Sequence, residues 1–395
     1  MDWPSAGAEL ALKIGAGRLV PPFQVMDVIL AANQRAASLQ AGEAKILRME
    51  VGQPGTGLPS GARQAVEAAL RSGAALGYTD GLGLPSLKAR IARHIADWYG
   101  IDVSPNRIAV TVGASGGFPL AFLSSFDVGD VVALAAPYYP PYYNILLALG
   151  LRPLVLPCGI ETGFQPTVDM LDALPRKPDG LILASPANPT GSMLAPDKLA
   201  ALCHYCDAAG IRLISDEIYH GLTYGKPQAS AAQYSASAIV INSFSKYFSM
   251  TGWRIGWMVL PEDMVRITER LAQNMFICPP HIAQVAAEAA MDCRAELEAN
   301  RAGYAHAREV LMAGLRDAGF STFSPPDGAF YLYADIEGRA RDSAAFCARL
   351  LTEQNIAATP GLDFDAQRGG RYFRLSYCGP LEDVEAAISR LKRLG

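Results

Sequence analysis

Seven short apolar runs, separated by longer stretches with helical periodicity, constrain this chain more than any other feature. They fall at 108–112 (IAVTV), 131–134, 153–156, 180–184 (GLILA), 211–215 (IRLIS), 238–242 (AIVIN) and 255–260. Apolar strands that do not alternate with polar residues, joined by helices such as 195–209, predict an α/β fold. Its central sheet should be mainly parallel and covered by helices on both faces. Such a sheet takes ligands beyond the carboxyl ends of its strands. The expected site is therefore the loops near 113–117, 137–143, 185–191, 216–224 and 243–254. After about residue 290 the pattern changes to a charged, Ala-rich helical stretch (288–318), strands at 329–336 and 372–377, and a helix at 381–394. The expected organisation is an N-terminal segment (1–48) contributing to a small C-terminal α+β domain (288–395), around a large α/β domain (49–287).

Several other classes fit poorly. Residues 108–126 and 131–151 carry no charge over 19 and 21 positions, enough to cross a bilayer. The first contains three glycines and Pro119, and the second Pro137, Pro140 and Pro141. A lipid-exposed helix tolerates these badly, so both read as buried core. The net charge of −4, without a basic run, argues against nucleic-acid binding. Met1-Asp2-Trp3-Pro4 lacks the basic start of a signal peptide, and seven scattered cysteines suit a reducing cytoplasm. Cys203 and Cys206 form a C-x-x-C, but no second pair stands at zinc-site spacing, so they are expected to pack and no metal is expected.

Gly113-Ala114-Ser115-Gly116-Gly117 matches G-x-S-x-G between a strand and a helix-like run. That is the setting of a serine-hydrolase nucleophile, and equally of a Gly-rich turn whose N–H groups face a phosphate. A hydrolase needs an acid and then a histidine downstream, and of His204, His220, His281 and His306 none has glycine on both sides in a loop after a strand. Lys246 is one of eight lysines, at the end of an apolar strand and next to Tyr247 and Phe248. Burial there lowers the pKa of an ammonium, which is how a lysine becomes a nucleophile or base. Ser243, Ser245 and Arg254 around it suit a phosphate. Asp216, in Asp-Glu-Ile-Tyr, and Asn188, in Asn-Pro-Thr-Gly, follow two further strands at the same edge.

In this order the motifs resemble the pyridoxal-phosphate (PLP) aminotransferases of fold type I, class I/II, the aspartate aminotransferase superfamily. The match runs from about Arg18 to Arg374 and centres on Ser-Phe-Ser-Lys-x5-Gly-x-Arg-x-Gly at 243–256. Asn188 and Asp216 stand 28 residues apart. The resemblance implies that Lys246 holds PLP as a Schiff base and then moves the substrate's Cα proton. Asp216 would keep the pyridine nitrogen protonated, and Tyr219 and Asn188 would bond the ring's phenolic oxygen. Tyr139 would stack on the ring. The phosphate would sit on the amides of Ala114 and Ser115, with Ser243, Ser245 and Arg254. Tyr78 would reach it from a neighbouring subunit, which implies a homodimer with shared active sites. Arg374 would clamp the substrate α-carboxylate through its planar fork, near the backbone of Gly52.

The chain departs from the family at Gly52-Gln53-Pro54-Gly55-Thr56, where relatives often read G-E-P-D-F. Ser115 stands where some relatives that take acidic substrates carry a lysine. The expected activity is exchange of an amino group between an L-amino acid and a 2-oxo acid by a ping-pong route. β-Elimination on the same scaffold and the serine hydrolase built on Ser115 remain the alternatives. A PLP-sensing transcription regulator would need an added DNA-binding domain and a basic patch, and neither is apparent in the sequence.

Overall fold

The structure is a computed structural model describing residues 14–394, so the expectation drawn from Met1–Pro4 lies outside the described residues. In chain order the strands are β1 (Leu47–Arg48), β2 (Ile108–Thr111), β3 (Val131–Ala136), β4 (Arg152–Pro157), β5 (Gly180–Ala184) and β6 (Arg212–Asp216). They continue with β7 (Ile239–Ser243), β8 (Gly256–Val259), β9 (Tyr331–Asp335), β10 (Ile356–Ala357), β11 (Thr359–Pro360) and β12 (Tyr372–Ser376). Each of the seven apolar runs forms a strand, and together they make one sheet in the order β2-β8-β7-β6-β5-β3-β4. Pairing is parallel from β7 to β4, whereas β8 runs antiparallel to both β7 and β2. The reversal follows from the short return after Lys246, which pairs Ser243 with Gly256.

Alternate residues of every strand but the edge strand β4 enter two different cores, which is why these runs are apolar throughout. On one face Leu181, Leu183, Leu213 and Val240 pack with Leu87 and Ile91 of helix Pro85–Tyr99 and with Leu199 and Leu202 of helix Pro196–Ala209. On the other, Ile182, Ile214, Ile239 and Ile241 pack with Phe118 and Phe122 of helix Gly113–Ser125. Each such side chain contributes about 1.5–3 kcal/mol on burial. Cys203 and Cys206 belong to the first core, where burial raises both thiols to about 12 and leaves them unreactive packing groups. Both uncharged stretches are strand-and-helix core, and no described helix is long and apolar enough to cross a membrane.

Beyond the sheet, β11-β12-β9 form an antiparallel sheet that sets Arg374 opposite Thr359 and Tyr333. β1 pairs in parallel with β10, tying the N-terminal segment to the C-terminal elements. The stretch 288–318 is not one helix. Helix His281–Ala290 ends where the backbone tightens to three-residue bonds at Asp292 and Cys293, and helix Arg294–Asp317 starts afresh.

Candidate active site

The sheet register gathers the site. Ala184 lies beside Asp216, Asp216 beside Ile241, Ser243 beside Gly256, and Gly256 beside Thr111. The residues following β2, β5, β6 and β7, and those preceding β8, therefore emerge along one edge. Twelve of the thirteen residues singled out in the sequence line one cleft of about 250 Å³ there: Gly52, Ala114, Ser115, Tyr139, Asn188, Asp216, Tyr219, Ser243, Ser245, Lys246, Arg254 and Arg374. The thirteenth, Tyr78, is 83% exposed and does not reach the cleft of its own chain.

Lys246 Nζ donates to the Gly52 carbonyl at 2.8 Å and lies 5.5 Å from the centre of the Tyr219 ring and 5.8 Å from that of Phe330. Burial brings its ammonium down to about 8, against an upward pull from Cys378 and Asp216. The aromatics beside the amine are thus not its sequence neighbours. Tyr247 and Phe248 turn inward to Trp98 and to Phe244 and Trp257. Asp216 is 3% exposed, and burial raises its carboxyl to about 6 although Tyr142 donates to Oδ2 and the Ile218 amide to Oδ1 at 3.2 Å. Tyr219 shares a 2.8 Å hydrogen bond with Tyr331, and burial drives its phenol well above the ordinary range.

At the other end, helix Gly113–Ser125 makes its first bond from the Gly116 amide to the Val112 carbonyl. The Ala114 and Ser115 amides precede that bond and remain free for an anion. Arg254 donates to Ser115 at 3.3 Å and to Ser245 at 3.4 Å, holding a φ of 52° that a non-glycine residue seldom adopts. Gly113, at φ 65°, lets the guanidinium approach, because a Cβ there would collide with it. Amides, hydroxyls and a guanidinium converging on one point suit a phosphate. No histidine lines the cleft among the described residues, and Ser115 Oγ meets Arg254 where a hydrolase would need a base.

Arg374 is 4% exposed. It donates to Asn188 Oδ1 at 2.8 Å, to Thr359 Oγ1 at 3.1 Å and to the Glu50 carbonyl, and stacks on Tyr331 and Phe364 with 4.5 and 4.8 Å separations. Its Nε is buried and has no partner among the described residues, so the guanidinium keeps one unmet donor beside the cleft. Gly52 is required here, since a Cβ would land on the Tyr331 hydroxyl.

The sequence reading missed Tyr142, Tyr331 and the apolar wall of Phe23, Val25, Met26 and Ile29. Tyr142 stands three residues after Tyr139 at helical spacing, a signal hidden inside an aromatic cluster. The wall belongs to helix Gln24–Ser38 and the residue before it, about 190 residues from Asp216 in the chain, and only tertiary packing could reveal it.

Comparison with known proteins identifies the family. A family model described as aminotransferase class I and II matches residues 44–391. A valine–pyruvate aminotransferase of Mycobacterium tuberculosis is 47% identical over 386 residues, covering 97% of both chains. An aspartate aminotransferase of Geobacillus stearothermophilus is 33% identical over 380 residues, covering 92% of this chain and 95% of the other. A crystal structure of an aminotransferase from Mycobacterium tuberculosis superposes with a TM-score of 0.94 at 46% identity, covering 97% of this chain and 99% of that one.

Proposed function

The chain belongs to the class I and II aminotransferase family and is a PLP-dependent enzyme that transfers amino groups, and on that premise we propose that it exchanges them between neutral, apolar L-amino acids and 2-oxo acids. One observation carries the substrate class. Three cations line the cleft among the described residues, Lys246, Arg254 and Arg374, and each has a task, while the wall includes the apolar side chains of Phe23, Val25, Met26, Ile29 and Phe118, and Glu50, which also borders it, is paired with Arg48. Within one copy of the chain a second substrate carboxylate therefore meets no free cation. The similarity to a protein named for valine and pyruvate supports the same reading.

The residues present suit PLP. When bound, the cofactor supplies a carbonyl that takes the amino group and a pyridinium ring that stabilises negative charge developing at the substrate Cα. The free amides of Ala114 and Ser115, with Ser243, Ser245 and Arg254, hold its phosphate. Asp216, reluctant to ionise where it is buried, is stabilised as a carboxylate by a protonated ring nitrogen. Asn188 and Tyr219 would donate to the ring's phenolic oxygen, and Tyr139 would cover the ring face. Arg374 takes the substrate α-carboxylate and so fixes which Cα substituent faces Lys246. Lys246, with a pKa lowered to about 8, is matched to removing and returning that Cα proton near neutral pH.

We assign the chain to a cytoplasmic homodimer in which Tyr78 of one protomer completes its partner's phosphate site. Residues 49–287 form the large PLP-binding domain in this reading, and 1–48 with 288–395 the small one.

The test is to mix the purified holoenzyme with L-valine, L-aspartate and a panel of other amino acids while following the cofactor's visible absorption and the released 2-oxo acid. Loss of the absorption with stoichiometric oxo acid is expected, with kcat/KM for apolar donors at least about tenfold above that for aspartate. Preference for aspartate would overturn the substrate class. Persistent absorption while pyruvate and ammonia accumulate would make the enzyme a lyase.

A further inference from the structure

Behind the cleft, on the opposite side of the turn that carries Asp216 and Tyr219, lies a second buried polar cluster that the reaction does not use. Glu217 and His220 are 2% and 3% exposed. His220 Nε2 stands 3.0 Å from the Ser185 carbonyl, and its Nδ1 stands 2.6 Å from the Tyr99 hydroxyl and 3.4 Å from Glu217 Oε2. A carbonyl only accepts, so Nε2 must carry the proton, and Nδ1 is then free to accept from Tyr99. Glu217 Oε1 accepts from the Ala231 amide at 2.8 Å and from Ser215 at 3.0 Å. These contacts tie together the 216–221 turn, the loop opening at Ser185 that carries Asn188, and the end of helix Pro85–Tyr99.

We propose that Glu217 and His220 form a positioning pair that works uncharged and locks the 216–221 turn to the 185–191 loop, so that Asp216, Tyr219 and Asn188 are presented to the cofactor as one unit. The separation of the pair would permit an ion pair, but the surroundings oppose one. The groups facing it are Tyr99 and His94 of helix Pro85–Tyr99, Cys203 of helix Pro196–Ala209, Ser215 and Asp216 of β6, and Ser230. None is a cation at neutral pH, since burial also lowers His94 to about 3. Burial brings His220 down to about 4 and Glu217 up to about 7, with Asp216 adding to the latter. Two adjacent buried carboxylates resist ionising together. As pH falls through about 7, Glu217 protonates before Asp216, which leaves the negative charge on Asp216, where the cofactor would need it.

The proposal rests on the assignment of Asp216, Tyr219 and Asn188 as the cofactor's holders, and the experiment separates the two. The PLP Kd, kcat, KM and thermal midpoint are measured for the wild-type holoenzyme and for Asp216→Ala, His220→Ala, His220→Gln, His220→Asn and Glu217→Gln. His220→Ala should weaken PLP binding and lower kcat by about tenfold each, the scale of one buried hydrogen bond, with KM changing less. His220→Gln places an amide N–H where Nε2 stood and should recover most of both losses, whereas the shorter asparagine should not. Glu217→Gln should stay within about threefold of wild type, because a neutral side chain suffices. Wild-type Kd and kcat in His220→Ala with only a lower midpoint, or damage from Glu217→Gln equal to that from His220→Ala, would overturn the proposal. If His220→Ala does not fold, equal behaviour of the glutamine and asparagine variants overturns it instead. A wild-type PLP Kd and kcat in Asp216→Ala would mean that the assignment of the site itself had failed, and the proposal with it.

Discussion

Asp216 shows how a functional residue costs the fold something. Its carboxyl moves from 3.8 to about 6 because it is buried. An acid whose folded pKa is raised binds its proton more tightly folded than unfolded, so stability falls as pH rises from about 4 to about 6. The full cost, on the order of 3 kcal/mol, is present above that window and absent below it. Asp216→Asn removes the ionisable group. The cofactor-free variant should therefore have a higher urea midpoint than the cofactor-free wild type at pH 7.5 and match it near pH 4, and should bind PLP more weakly. An equal midpoint at both pH values would mean that water or Lys246 already compensates the charge. At this scale the sequence was informative wherever chemistry narrows the choice of residue. A lone lysine after an apolar strand, a carboxylate at a strand end and an arginine among apolar neighbours were all legible. Which side chains enclose the Lys246 amine was not, because Phe330 and Tyr219 reach it only through the fold.

At the scale of elements, the apolar runs identified the sheet strands, and periodicity identified the covering helix at 195–209, because the inner strands must be apolar on both faces. It could not give the direction of β8, since an apolar run reads the same either way, nor the break at Asp292–Cys293, which helix-compatible residues conceal. The helix that lines the cleft with apolar side chains was also invisible. Helix Gln24–Ser38 begins at Phe23 without a side-chain cap of its own. Asp363 caps it from the far end of the chain, accepting from the Gln24 amide at 2.8 Å and the Val25 amide at 3.3 Å. A cap of this kind contributes about 1 kcal/mol, and here it also fixes the apolar wall over the cleft. Asp363→Ala should raise KM for an apolar donor by about fivefold while kcat changes less than about twofold, and Asp363→Asn should recover part of the loss. Steady-state kinetics with one donor decide it. A fall in kcat at constant KM would show that Asp363 acts on the chemistry through Arg374.

At the scale of the whole molecule, Tyr78 is the predicted site residue that its own chain leaves outside the cleft, with its ring exposed at the surface. A sequence carries no direct sign of which residues serve another copy, because contact across an interface leaves no periodicity within one chain. If Tyr78 completes the partner's phosphate site, each active site combines Lys246 from one protomer with Tyr78 from the other. Lys246→Ala homodimers should then be inactive, and Tyr78→Ala homodimers should bind PLP about tenfold more weakly, the scale of one hydrogen bond to a charged group. A heterodimer of the two variants would contain one site with both defects and one with neither. Purified with separate tags on the two protomers and assayed at limiting PLP, it should show about half the wild-type activity, well above either parent. If Tyr78 instead served the site of its own chain, every site in the heterodimer would carry one defect and no recovery would occur. The same preparation tests the dimer, since two tags can copurify only if the protomers associate.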